Sequence, residues 1–172
     1  MSLLNDKPML LCEYCNSVYI PPETADGVRV LGEPGEAHCP VCKDVLLVLA
    51  SLEDIRLQHC PRCQGLLFKV GSFQEAMRKG RLRFMEHQAK PTPLNPDELQ
   101  RKLDCPYCGK PMDTHPYGGP GNIVIDNCPR CWVNWLDYKE FRRVITAPER
   151  VRARDDDPLA WIPPLKEDRL ED

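Results

Sequence analysis

Short apolar bursts alternate with turn residues along this chain, and their period changes from two to about 3.6. Residues 45–50 form an aliphatic run, and Ile55-Arg56-Leu57-Gln58-His59 alternates apolar and polar as a half-buried strand does. Ser51-Leu52-Glu53-Asp54 between them reads as a hairpin loop. Phe73, Ala76 and Met77 follow at helical spacing behind Ser72-Phe73-Gln74-Glu75, which fits a capping box. Gly80 is expected to weaken or end that helix, and residues 81–87 to restart it with Leu82, Met85 and Phe84 inward. Upstream, Val18, Tyr19 and Ile20 suggest a short strand stopped by Pro21-Pro22. Residues 27–32 suggest another, closed by the turn Gly32-Glu33-Pro34-Gly35.

The second half repeats the plan. Residues 110–115 and 123–126 flank the turn Gly118-Gly119-Pro120-Gly121-Asn122. Trp132-Val133-Asn134-Trp135-Leu136 leads into Asp137-Tyr138-Lys139-Glu140, again with capping-box spacing. Phe141, Val144 and Ile145 form the helix's apolar face, and both tryptophans are expected to pack the second unit against this helix. Between the halves, Pro91, Pro93 and Pro96 disfavour helix and strand alike. The organisation expected is an extension over 1–38, a first unit over 39–88, a linker over 89–98, a second unit over 99–147 opening with a short helix over 97–103, and a tail over 148–172.

Cysteine placement changes this picture most. Cys39-Pro40-Val41-Cys42 is followed after 17 residues by Cys60-Pro61-Arg62-Cys63, and Cys105-Pro106-Tyr107-Cys108 after 19 by Cys128-Pro129-Arg130-Cys131. Paired CxxC turns at this separation are zinc-site spacing: each turn aims two thiolates at one point, and a hairpin brings the second pair to complete a tetrahedron. Two Zn²⁺ per chain follow, held by Cys39, Cys42, Cys60, Cys63 and by Cys105, Cys108, Cys128, Cys131. A unit of roughly 50 residues buries too little apolar surface to stand alone, so the metal-free chain is expected to be largely unfolded.

Ten cysteines in 172 residues would also suit an oxidised scaffold, but the first residues carry no basic start, apolar run or cleavage pattern. A reduced, cytoplasmic protein is expected, with no membrane span, since the longest aliphatic run is six residues. Four-thiolate sites leave no open coordination position, and no HExxH, GxSxG or GxxxxGK[ST] pattern occurs, so no enzyme is expected.

A fifth pair, Cys12-Glu13-Tyr14-Cys15, is left over. Pairing with Cys39 and Cys42 would span 23 residues, outside the usual window, and would strand Cys60 and Cys63. Four readings stay open: a half-ribbon binding nothing, a third zinc completed by His38 or His115, a zinc shared by two chains, or a redox or metal-transfer dithiol. His59 and His87 are read as an ordinary strand end and a helix surface residue.

Net charge is −3, so global attraction to nucleic acid is absent. Basic residues cluster locally at Arg78, Lys79, Arg81 and Arg83 and at Arg142, Arg143, Arg150, Arg152 and Arg154, a possible phosphate-contacting face. Residues 155–172 hold seven acidic and two basic side chains and read as a disordered end around the apolar Trp161.

The CPxC knuckles, with Leu46 and Met112 after the first of each unit, resemble the bacterial TFIIB-type zinc ribbon. So do Gly65-Leu66-Leu67-Phe68 and Trp135-Leu136-Asp137 with Glu140 after the second. The resemblance covers residues 39–79 and 105–146. It implies a small metal-bound α+β fold of two tandem rubredoxin-like ribbons, each a hairpin with two knuckles followed by a short helix. The function expected is a zinc-binding interaction module with a protein partner. A nucleic-acid-binding regulator and a thiol-redox or zinc-handling protein are the alternatives, and Cys12 and Cys15 offer a route to an oligomer.

Overall fold

The computed structural model describes residues 2–3, 9–84, 89–90, 92–119 and 121–148. Met85, His87, Trp161, Arg150, Arg152, Arg154 and the expected tail beyond Pro148 lie outside the described residues.

Two sheets form among them. A small one orders β1 (Ser2–Leu3), β2 (Leu10–Leu11) and β3 (Val18–Tyr19), with the Cys12–Cys15 turn between the last two. The main sheet has seven antiparallel strands in the order β4 (Arg29–His38), β5 (Leu46–Leu52), β6 (Ile55–His59), β7 (Leu66–Lys69), β10 (Val133–Leu136), β9 (Val124–Cys128), β8 (Asp113–Pro116). The helices are α1 (Val70–Arg83), α2 (Pro96–Gln100) and α3 (Glu140–Thr146).

The expected linker therefore does not divide the sheet. The strands after the two second knuckles, β7 and β10, pair with each other: Leu66↔Leu136, Leu67↔Trp135, Phe68↔Asn134 and Lys69↔Val133. Leu67 and Trp135 are each the fourth residue after their knuckle's last cysteine, Cys63 and Cys131. The register is thus that of a local two-fold axis passing between them, and two ribbons become one sheet. The described part of the linker lies along the second ribbon, with Asn122 Nδ2 donating to the Thr92 carbonyl (3.0 Å) and the Ala89 amide to the Thr146 carbonyl (2.9 Å).

Strand alternation sorts the central side chains onto two faces. Leu66, Phe68 and Leu136 join Leu57, Phe73, Phe141, Val144 and Ile145 in one buried cluster under α1 and α3. Leu67, Val133 and Trp135 join a second cluster with Cys39, Cys60, Cys105 and Cys128 on the opposite face. The middle of the sheet is covered on both sides, which is why β10 is buried at every position.

Several local expectations are corrected. β5 runs on to Leu52, so Ser51 and Leu52 are buried strand residues and the turn is Glu53-Asp54, with Glu53 at φ 53°. The expected turn at residues 32–35 lies inside β4, where register shifts on either side of Pro34 absorb it as bulging. α1 starts at Val70, so Ser72 is no cap; the Val70 amide donates instead to the Trp132 carbonyl of the other ribbon (2.9 Å). The helix also passes through Gly80 to Arg83. A methyl there would stand 2.7 Å from Ile145 Cγ2, so the glycine permits α1 and α3 to touch. The short helix α2 starts at Pro96 and is capped by the Asn95 side chain.

Candidate metal centres

Each CxxC turn is built by its backbone. The amide of the residue after the second cysteine donates to the carbonyl of the first: Lys43 to Cys39, Gln64 to Cys60 and Gly109 to Cys105, all at 2.9 Å. That residue is left-handed in each case, with φ between 60° and 63°, and Trp132 follows suit at 54°. Curling the chain this way brings both sulfurs to one side. In the first turn the Cys42 amide also donates to Cys39 Sγ at 3.2 Å.

Hairpins then bring the turns together in fours. Cys39, Cys42, Cys60 and Cys63 have their sulfurs within 4.8 Å of one another, and so do Cys105, Cys108, Cys128 and Cys131. Separations are 3.6 Å for Cys39–Cys63, 3.9 Å for Cys42–Cys60 and 3.7 Å for Cys108–Cys128. A tetrahedron with Zn–S bonds of about 2.3 Å has edges of about 3.8 Å. The sulfurs are therefore spaced for Zn²⁺, and each cluster fits one ion.

Proton sharing makes the same point. Cys39 is pulled down to about 5, chiefly by the hydrogen bond from Cys63, while Cys63 is pushed far up. In the second cluster the Lys110 amide pulls Cys108 down to about 7, and burial pushes Cys131 up to about 12. Four crowded thiols cannot all ionise alone; a divalent cation removes that conflict, at the cost of releasing protons on binding.

The knuckles differ in one detail. The Cys105 amide closes on the carbonyl five residues on, Lys110, but Cys39 closes on Val45, six on. The extra residue shifts the following strand by one, so Leu47, not the expected Leu46, takes the buried place that Met112 has in the second unit.

Residues 38–79 match the transcription factor zinc-finger family, the TFIIB-type zinc ribbon. The second four-cysteine group, at 105–131, is consistent with a tandem copy of this zinc ribbon. No curated protein and no solved structure matches the chain. The chain thus carries a zinc-binding structural module with two four-thiolate sites.

Among the described residues, most of the basic side chains singled out in the sequence are tied into the fold. Arg78 pairs with Glu75, and Lys79 with Asp54 and Glu75. Arg81 donates to the Val144 carbonyl at the end of α3 (3.2 Å), and Arg83 grips both Glu23 oxygens at 2.9 Å. The Arg142 guanidinium lies 3.7 Å from the centre of the Phe84 ring, and Arg143 donates to the Pro93 and Asn122 carbonyls. Arg81, Arg83, Arg142 and Arg143 thus join α1, α3, the extension and the linker, while Arg78 stays on the exposed face of α1.

The described histidines belong to neither four-sulfur cluster. His38 and His115 are exposed, and neither gathers with Cys12 and Cys15 into a metal-binding group among the described residues. His59 is buried in β6, and burial holds it below its ordinary pKa. Trp132 is 69% exposed and packs no helix; Trp135 is fully buried between the clusters, away from the helix it was expected to meet.

Three structural roles escaped the sequence. Asp26, in the extension, accepts from the Lys139 and Arg142 amides at 2.9 Å and so caps α3 from outside. Arg101 bridges buried Asp126 (3.2 Å) and Asp137 (2.6 Å), linking α2 to the second ribbon. Gly65 leaves room for Trp135, whose ring would meet an added methyl at 2.2 Å. Of these, Gly65 alone had a signal: a glycine just past a knuckle and before an apolar run.

Proposed function

We propose that the protein is a non-catalytic interaction module, and that its fused ribbons hold an extended protein segment across their junction. The observation that carries this is a groove of about 510 Å³ built by both ribbons together. Leu49, Gln58 and Leu67 come from the first ribbon, Tyr107 and Val133 from the second, and Arg56, Lys69 and Glu75 add charge of both signs. Gln58 donates to the Tyr107 hydroxyl at 2.7 Å across it. Apolar floor, one exposed aromatic and mixed charge is the chemistry of a protein partner more than of a polyanion. Four-thiolate coordination supports the non-catalytic reading, because it leaves no position for water or substrate. The internal engagement of Lys79, Arg81, Arg83, Arg142 and Arg143 supports protein over nucleic acid.

A photo-crosslinking residue in place of Tyr107, in zinc-loaded protein inside cells, tests the reading. A discrete protein adduct, absent when the same residue replaces exposed Gly118, is expected. A nuclease-sensitive adduct would instead favour a nucleic-acid-binding regulator, and no adduct above the Gly118 control would remove the groove as the binding face.

A further inference from the structure

The fifth cysteine pair is folded as a knuckle although nothing among the described residues completes it. The Asn16 amide donates to the Cys12 carbonyl at 2.8 Å, and the Cys12 amide to the Ser17 carbonyl, five residues on, at 2.9 Å. Asn16 is left-handed at φ 54°. The same two bonds and the same conformation occur at Cys60 with Gln64 and at Cys105 with Gly109, both of which belong to complete sulfur clusters. Asparagine adopts the left-handed conformation at little cost, so the sequence supports this turn without glycine. Its backbone is that of the turns whose sulfurs converge, and Cys15 Sγ lies at the solvent side, 3.0 Å from Ser17 Oγ.

Two thiolates do not close a zinc site. No third His, Cys, Asp or Glu among the described residues lies with this pair. The pair also sits on the separate three-stranded sheet, at its solvent end: Cys15 is exposed, Tyr14 is 98% exposed, and Val18, Tyr19 and Ile20 are about half exposed. An unburied apolar rim thus surrounds a preformed half-site.

We propose that Cys12 and Cys15 are half of a third zinc site, completed by the same two cysteines of a second copy of this chain. A two-fold axis through the ion turns one CxxC turn into the other two ligands, and the assembly closes with nothing left over. The second copy brings an identically shaped turn, so neither backbone need rearrange. It also brings a second Tyr14 and a second β3, which cover the apolar rim. One Zn²⁺ replaces the thiol protons of four cysteines, and those protons leave to solvent. The proposal is independent of the groove reading, since that groove and this turn share no residue.

Molar mass by light scattering and zinc content by elemental analysis, on full-length zinc-loaded protein under reductant, test it. The expected result is a dimer of the 19.7 kDa chain with five zinc ions, two in each chain's own clusters and one shared. The pair of substitutions Cys12→Ser and Cys15→Ser should weaken the dimer at least tenfold and leave two zinc ions per chain with unchanged circular dichroism. As a check without substitutions, limiting chelator should remove one zinc per dimer together with the dimer itself, before strand signal falls. A monomer with two zinc ions, a monomer with three, a dimer that survives both substitutions, or one that forms with oxidant and no zinc would each overturn the proposal.

Discussion

The two ribbons share a plan but differ in how their helices are held. Phe73 and Phe141 are each the tenth residue after the last cysteine, and both are fully buried in the same cluster. Yet α1 is 14 residues long and α3 only 7. The longer helix has no side-chain cap and takes one carbonyl, Trp132, from the other ribbon. The shorter one is capped by Asp26, well outside its own ribbon, and by Glu140, whose carboxylate accepts from the Val124 and Asp137 amides at 3.1 and 2.7 Å. Helices of two turns are marginal by themselves, so α3 depends on its surroundings more than α1 does. Neither ribbon is self-sufficient, and their seam is where each lends the other what it lacks.

The largest test of that interdependence is removal of one metal. Structural zinc contributes about 10–16 kcal/mol of apparent free energy in small fingers near neutral pH. With a shared sheet, Cys105→Ser, which disables the second site, should also loosen the first. Hydrogen exchange on the zinc-loaded variant should show lost protection in β7 as well as in β9 and β10. Full protection remaining in β6 and β7 would mean that the ribbons fold separately despite the β7–β10 pairing.

Next comes the pair that flanks the axis. Trp135 is fully buried between the two sulfur clusters, and Trp135→Ala should cost about 3–5 kcal/mol in chemical denaturation, with zinc still bound. Leu67→Ala, its partner across the axis and 3% exposed, should cost about 2–5 kcal/mol. The two losses should fall short of additive when combined, because the side chains share one cavity.

Much of this was legible in the chain, and the limit has a physical cause. Eight cysteines announce themselves because metal coordination is a local, chemically specific demand on spacing. The β5–β6 hairpin and the buried face of α3 follow from periodicity over a few residues. The β7–β10 seam does not, because Leu66-Leu67-Phe68 and Val133-Asn134-Trp135-Leu136, apolar but for Asn134, say only that something covers them. Asp26 is 113 residues from the amide of Lys139 that it caps, with no local pattern to link them. Gly80 misled for a related reason: glycine inside a helix weakens it by roughly 1 kcal/mol, and the compensating contact with Ile145 comes from the other ribbon.

Asp26 separates the two helices directly. Asp26→Ala leaves the Lys139 and Arg142 amides without their acceptor in a buried setting, at a cost of about 1–3 kcal/mol. The effect should appear as faster exchange of α3 amides with α1 unchanged. Equal loosening of both helices would show that Asp26 supports the whole sheet and not α3 in particular.

The smallest effect expected is a slope in pH. Burial pushes the Glu140 carboxyl from 4.5 up to about 8, against the pull of its two backbone donors. The folded chain then holds a proton that the unfolded chain has lost over that interval. Its contribution to stability is complete below pH 4.5 and declines as pH rises toward 8, by at most about 1.4 kcal/mol per pH unit. Acid also protonates the thiolates and releases zinc, so the useful window is from about pH 6 to pH 8 with zinc in excess. Burial raises the Asp26 and Asp126 carboxyls as well, and both are common to parent and variant, so the comparison isolates Glu140. Glu140→Gln keeps the shape but cannot titrate, so its unfolding free energy should vary less with pH than the parent's, by up to about 2 kcal/mol across the window. Parallel profiles would mean that the Val124 and Asp137 amides keep Glu140 ionised, and that α3 is capped by two carboxylates at every pH in that range.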